Sequence, residues 1–480
     1  MKIKMNKILR KKASTPLHIG RGLGVGLLLC LMLSSCGLYN KYERPDEVNT
    51  AGLIRDLTSD VDTLAVNSDE NFGNLPWRQV FTDPQLQALI EKALENNTDL
   101  RNAALNVKMM ETALTVSKLA FLPSVSFAPQ GTISQVQMDG AQVSKTYQLP
   151  VSASWNLDLF GNLLSQKRSA QMKLLATKDY QVTVQTNIIC GVANLYYTLM
   201  MLDEQMRIIN DMESLTKETW DMMQLQMNLG RARSTSVQTA EANYYSVKAK
   251  GADLRQQIRE MENAMSLLLN EPGHQIARGS FYDQSLPSEF ATGVGIQLLS
   301  NRADVHAAEM SLAQCFYDTE TARSRFYPNI TVTGTAMFTN NLGQIVNPGK
   351  WILSAVGSLT QPIFAHGQIV AGLKVAKAQQ EQALNTFQQT ILKAGNEVSN
   401  ALVAYNTCNE KSKLDEMQVK IYEQNVEDTR QLYTSSGSSY LEVIQAQNGL
   451  LNARIAKVTD DFNKMQAVVN LYQALGGGSK

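Results

Sequence analysis

Residues 147–161 read YQLPVSASWNLDLFG. Tyr147, Leu149, Val151, Ala153, Trp155 and Leu157 alternate with Gln148, Pro150, Ser152, Ser154, Asn156 and Asp158. Side chains along a strand point to opposite faces in turn, so this stretch is a strand with one apolar and one polar face. Segments of about ten residues with this alternation and aromatics near their ends mark the strands of transmembrane barrels, lipid on one side and lumen on the other. A soluble half-buried sheet has the same period.

Three other stretches share the pattern. After Pro123 the residues Val125, Phe127, Pro129, Gly131 and Ile133 fall on one parity. Ile330, Val332, Gly334, Ala336 and Phe338 alternate with Thr331, Thr333, Thr335 and Met337. Trp351, Leu353, Ala355, Gly357 and Leu359 alternate with Ile352, Ser354, Val356, Ser358 and Thr360. Strands are therefore expected over 124–136, 146–160, 329–340 and 350–362. Four strands cannot close a pore, and lipid does not tolerate an open sheet edge. If they cross a membrane, several chains share one barrel.

The pairs of strands belong to two copies of one unit. Asn97-Thr98-Asp99-Leu100 and Phe121-Leu122-Pro123 answer Arg302-Ala303-Asp304-Val305 and Phe326-Tyr327-Pro328. Phe160 answers Phe364, and Val237 and Ala240 answer Val443 and Ala446, all in one order at nearly one offset. The first repeat is placed at 76–271, the second at 301–475, with a connector at 272–300 and a tail at 476–480. Each repeat reads helix, two strands, long helix, turn, shorter helix.

No proline interrupts Val151–Glu271 or Ile363 to the end. Apolar residues spaced alternately by three and four run through Ile188, Val192, Leu195, Leu199, Leu202, Met206 and Ile209. Similar seams begin at Leu384 and Leu451. This spacing predicts a coiled-coil seam, not a broad globular stripe. Helices over 162–229 and 367–435 would each be roughly 100 Å long at about 1.5 Å per residue. Each ends at a small-residue turn, one carrying Gly230 and Arg231, the other Ser436 and Gly437. These are hairpin tips remote from the strands.

The N-terminus reshapes the charge arithmetic. The whole chain has 44 basic and 44 acidic residues, and 18% charged residues, which offers no basic field for nucleic acid. Residues 1–35 hold seven of the basic residues, all within 1–21, and no acid; an apolar run too short to span a bilayer follows at 22–33. They are a secretory signal, and its removal leaves 37 basic and 44 acidic residues, a net of −7. Leu33-Ser34-Ser35-Cys36 resembles the lipobox of bacterial lipoproteins, which implies acylation of Cys36 and a lipid-anchored leader over 36–75. Cys190, Cys315 and Cys408 lie in helical patterns and are expected to be buried, unpaired thiols.

Several motifs occur together in a particular order. After the lipobox come Tyr42-Glu43-Arg44-Pro45, Trp77-Arg78 and Phe81-Thr82-Asp83-Pro84. Ser154-Trp155-Asn156-Leu157-Asp158-Leu159-Phe160-Gly161 follows, then Gln361-Pro362-Ile363-Phe364 with Gly367, then Ser436-Gly437-Ser438-Ser439-Tyr440-Leu441-Glu442-Val443. Over residues 36–475 the chain resembles the TolC-like outer-membrane lipoprotein channels of tripartite efflux pumps. The usual Asp-Gly-Gly of the second strand-to-helix junction is here Ala365-His366-Gly367.

That resemblance implies a mainly α chain with a membrane β-barrel. Its homotrimer would close a twelve-stranded barrel in the outer membrane, continued by a long periplasmic α-helical barrel. The duct is passive, and a periplasmic adaptor and an inner-membrane RND-type transporter open it at the helical tips. Glu442 and Gln445 match family positions that ring the closed entrance; Glu442 keeps the charge and Gln445 does not. Tyr433 matches a latching position, while Ser438 stands where some members carry a latching arginine.

The sequence shows no GxxxxGK[ST], HExxH, CxxC or GxSxG. His18, His274, His306 and His366 are scattered, and Asp460-Asp461 reads as a solvated helix face. No catalytic residue, metal or cofactor is expected beyond the lipid on Cys36. Two other readings stay open. One is a duct for secreted protein serving an ABC-type exporter. The other is a lipid-anchored coiled-coil tether or adaptor without a pore, against which the four two-faced strands count.

Overall fold

The computed structural model describes residues 40–45, 72–136, 142–284, 286–287, 302–341, 345–436 and 440–478. The signal peptide, Cys36 and Gly437 lie outside these residues. Capping chemistry sets where the first helices start. A short α1 (Trp77–Val80) leads to Asp83, which accepts from the Gln85 N–H at 2.8 Å; Pro84 then opens α2 (Pro84–Asn96). Asn97 caps α3 (Thr98–Leu119), accepting from Asp99 and Leu100. The first repeat thus opens with two jointed helices where the sequence suggested one.

Two strands, β1 (Ser124–Phe127) and β2 (Gln130–Val136), stand where 124–136 read as a single strand. Both pair antiparallel with β3 (Gln142–Leu157) in one continuous register, Phe127 opposite Val151 and Gln130 opposite Gln148. The gap falls at Ala128-Pro129, because proline has no N–H to give to the ladder, and it lies on a sheet edge where that loss is tolerated. Strand β3 then pairs with β4 (Asn329–Asn341), and β4 with β5 (Ile345–Thr360). The second and fourth strands start four or five residues earlier than expected and stop before Phe160 and Pro362. The central β3–β4 pairing joins the two repeats, and β1/β2 and β5 form the free edges.

From the sheet the chain enters α4 (Asn162–Asn228), 67 residues, and returns in α5 (Ser234–Leu268), 35 residues. The second repeat gives α6 (Ala303–Ser324), then α7 (Gln368–Ser436), 69 residues, and α8 (Tyr440–Ala474), 35 residues. Helix α4 packs against α3 and α5 of its own repeat and also against α6 and α8 of the other. Each repeat is tied shut in the same place: Asn97 Nδ2 donates to the Leu268 carbonyl and Arg302 Nη1 to the Ala474 carbonyl, both at 2.9 Å.

The predicted seam residues are buried or half-buried, but around 188–212 the buried surface is wider than a seam. Ile189, Ala193, Tyr196, Tyr197 and Met200 are enclosed as well. Here segments 72–83, 276–281 and 471–475 gather on the middle of α4 and form the main core. Tyr472 packs edge-on against Phe72 and Phe81 and donates to the Leu75 carbonyl at 2.8 Å. A rod of two hairpins thus acquires one thick girdle at mid-height.

Candidate functional site

Register sorts the strand side chains into two faces. Phe127, Val151, Ala336 and Leu353 lie opposite one another across the strands, as do Leu157, Ile330 and Leu359. On the other face Ser126, Ser152, Thr335 and Ser354 form one row, and Asn156, Thr331 and Ser358 another. Ser152 and Thr335 share a hydrogen bond at 3.1 Å, and Thr331 donates to Asn156 at 2.8 Å. Pro150, Met337 and Ile352 make one apolar row on the polar face.

Nothing described covers the apolar face: Leu353 is 80% and Trp351 68% exposed. Its rows run from Leu149 to Leu157, about 26 Å along the strand at 3.3 Å per residue. With a tilt near 40° the band would be about 20 Å high, close to the roughly 25 Å apolar belt of outer-membrane barrels. Among the described residues no helix is long and apolar enough to cross a membrane.

The junction between sheet and rod is built by Asp158-Leu159-Phe160-Gly161. Asp158 accepts from the backbone N–H groups of Leu163 and Leu164 at 3.1 and 2.8 Å, holding the N-terminus of α4. Gly161 turns the chain with φ 69°, and Phe160 stacks on Tyr327 with centroids 5.1 Å apart. In the second junction His366 and Gly367 take φ 50° and 77°, so the resemblance's two glycines fall on the two left-handed positions. Asp158→Ala is expected to cost about 1–2 kcal/mol through loss of the cap. The thermal midpoint of the purified protein checks it; an unchanged midpoint would show that the junction does not need this carboxylate.

At the far end Gly230 closes α4 with φ 70°. Its N–H donates to Met227 and that of Arg231 to Gln226, the pairing of a glycine-terminated helix. Gly230 and Arg231 are exposed at this tip. Helix α7 ends at Ser436, the other tip residue within the described chain.

Tyr433 is half-buried and donates to Met223 Sδ at 3.3 Å, bridging α7 to α4. Its ring lies 6.1 Å from that of Tyr440, within a small apolar cluster of both hairpins that includes Val237, Ala240 and Ile444. Burial raises the Tyr440 phenol well above its ordinary value. Glu442 and Gln445 share the exposed face of α8, opposite buried Val443, Ile444 and Ala446. The structure brings Tyr433 into contact with the first hairpin and leaves Glu442 and Gln445 directed away from it.

Polar ties between the hairpins escaped the sequence reading. Gln447 Nε2 donates to Thr219 Oγ1 at 2.9 Å in a buried setting, and Asn448 Nδ2 to Asn243 Oδ1 at 3.2 Å. Asp460-Asp461 is not a solvated face. Asp460 is 5% exposed and accepts from Lys411 at 2.6 Å, while Asp461 accepts from Ser412 and Lys457. Burial opposes ionisation of Asp460, but the Lys411 and Asp415 bonds outweigh it and hold its carboxyl below the usual range. Cys190 is buried, its thiol pushed up to about 12; Cys315 and Cys408 are only half-buried, and all three are free.

An open cavity of about 710 Å³ beside Arg302 is lined by mixed charge, Lys393 and Glu397 among others. Among the described residues no group of histidine, cysteine and acidic side chains is arranged to hold a metal.

A family model described as outer membrane efflux protein matches residues 89–271 and 295–477. The chain is 26% identical over 452 residues to the cation efflux system protein CusC of Escherichia coli O157:H7, covering 94% of this chain and 97% of that one. It is 25% identical over 421 residues to the probable outer membrane lipoprotein SilC of Salmonella typhimurium, with coverage of 87% and 90%. The crystal structure of the open state of the Neisseria gonorrhoeae MtrE outer membrane channel matches with a TM-score of 0.81 at 27% identity, over 92% of this chain and 98% of that one.

Proposed function

Because the chain belongs to the outer membrane efflux protein family, we propose that it is the outer-membrane exit duct of a tripartite efflux system. The observation that carries this is the two-faced sheet with two free edges, set at one end of helices roughly 100 Å long. Unpaired edge groups are untenable in lipid, so β5 of one chain pairs with β1/β2 of the next. Three chains of four strand paths close a twelve-stranded barrel, its hydroxyl-rich face toward the lumen. The rods continue that lumen into the periplasm, where a periplasmic adaptor and an inner-membrane RND-type transporter engage the tips. The relatives are named as efflux and outer-membrane proteins, which supports this reading.

Cys36 anchors the leader. Arg168 holds the Asn40 carbonyl at 3.3 Å, about 10 Å below Gly161 along α4. Asn40 is the fourth residue after Cys36 in the sequence. Cys36→Ala is expected to abolish palmitate incorporation during metabolic labelling; persistent label would place the acyl group elsewhere.

The closed state is held at the tips. Three copies of the exposed Glu442 face form a ring of like charge, with Gln445 a neutral ring one turn deeper. Tyr433, bonded to Met223 and packed on Tyr440, fixes the second hairpin to the first and keeps that ring narrow. Planar-bilayer recording tests both parts. Wild-type protein is expected to give small, rare conductance steps, and Glu442→Ala with Tyr433→Phe several-fold larger ones. Absence of conductance in wild type and double variant alike would end the channel reading.

A further inference from the structure

Cations gather on the outer side of the sheet-to-rod junction. Lys167 Nζ lies 6.0 Å from the centroid of the Phe121 ring, and the Phe121 carbonyl accepts from Trp155 Nε1 at 2.9 Å. Trp155 belongs to the apolar rows, which places this corner on the lipid side. Lys118, one turn before Phe121, is exposed, and so are Leu119 and Leu122. Next to Lys167, Arg168 stands over the Tyr317 ring at 5.6 Å and holds Asn40, which the exposed Lys41 follows.

The acids close by are already engaged. Asp158 caps α4, Asp318 accepts from Ser169, Glu309 binds Arg44, and the buried Glu320 binds Arg323. Among the described leader residues 40–45, Glu43 is the one acid, and it is exposed. In a mature chain of net −7 this is a local reversal of charge, set immediately below the apolar rows.

We propose that Lys41, Lys118, Lys167 and Arg168 form a binding surface for anionic phospholipid head groups of the periplasmic leaflet. It rests on reading the sheet as the part that spans the outer membrane. A zwitterionic head group balances its own phosphate, whereas an anionic one leaves a net charge for these cations to meet. Lys167 already reaches over the Phe121 ring, and its ammonium group with those of Lys41 and Lys118 would meet the phosphates, as long cationic side chains do at interfaces. Arg168 joins this surface to the leader, so the lipid on Cys36 and the bound head groups would hold one corner of the duct.

Native mass spectrometry of the full-length lipidated protein in detergent tests this, titrated with phosphatidylglycerol or with phosphatidylethanolamine. Wild type is expected to bind phosphatidylglycerol at least about tenfold more tightly, and Lys41→Gln/Lys118→Gln/Lys167→Gln to bring the two within about twofold. Salt of about 1 M, where the screening length is about 3 Å, removes the wild-type preference without any substitution. Equal binding of both lipids by wild type, or a preference that survives the triple variant or the salt, overturns the proposal. Conductance in planar bilayers reads the duct separately: its absence in wild type and in Glu442→Ala with Tyr433→Phe alike would overturn the membrane reading, while the head-group preference is still measured in detergent.

Discussion

Ala355→Arg is expected to prevent assembly in the outer membrane, whereas Ser354→Arg, one residue earlier, is tolerated. Ala355 lies in the middle apolar row, opposite Gly334, and Ser354 in a hydroxyl row opposite Thr335. An arginine on the lipid face near mid-bilayer costs about 2–4 kcal/mol, and three copies bring this to about 6–12 kcal/mol. That equals the whole stability of many domains, about 5–15 kcal/mol. An arginine on the lumen face stays in water and changes only the charge of the pore. Fractionation of outer membranes with trimer detection on a mild gel separates the outcomes. Equal behaviour of the two variants would mean that the period of two does not divide lipid from lumen.

Arg278→Ala is expected to cost about 3–5 kcal/mol, the penalty for breaking a buried ion pair from one side. Arg278 sits in the girdle, bonded to Asp203, to Glu262 at 2.8 Å and to the Ile276 carbonyl at 2.9 Å. Glu262 is only 4% exposed, so without the guanidinium its carboxylate has neither partner nor water. The contrast is Arg78→Ala, which breaks the exposed pair with Glu91 and is expected to cost under about 1 kcal/mol. Denaturant midpoints of the two variants check the difference; similar shifts would show that the girdle relaxes around Glu262.

What the sequence makes legible is what a local rule encodes. Alternation along 147–157 needs only the two faces of a strand, and Gly161 and Gly230 mark left-handed turns that few other residues adopt. Heptad spacing finds the seams but not the girdle, because Ile189, Tyr196 and Met200 are covered by segments from both ends of the chain. Polar ties are harder still. Gln447 and Asp460 look like solvent-facing helix residues until Thr219, 228 positions away, and Lys411 are rotated against them. Tyr433 is singled out only by its likeness to a family position, and its partner Met223 follows only from how α4 and α7 lie together.

The packing of α4 on α6 and α8 bears on what one repeat could do by itself. Each copy of the repeat closes its own ends, through Asn97 and Arg302, but α4 packs on α6 and α8 of the other copy as well as on α3 and α5 of its own. Strand β3 likewise finds its inner neighbour in β4, across the duplication. One repeat alone would leave those surfaces bare unless a second molecule covered them. Two copies in one chain supply these surfaces to each other and let equivalent positions differ, as Asn97 and Arg302 do.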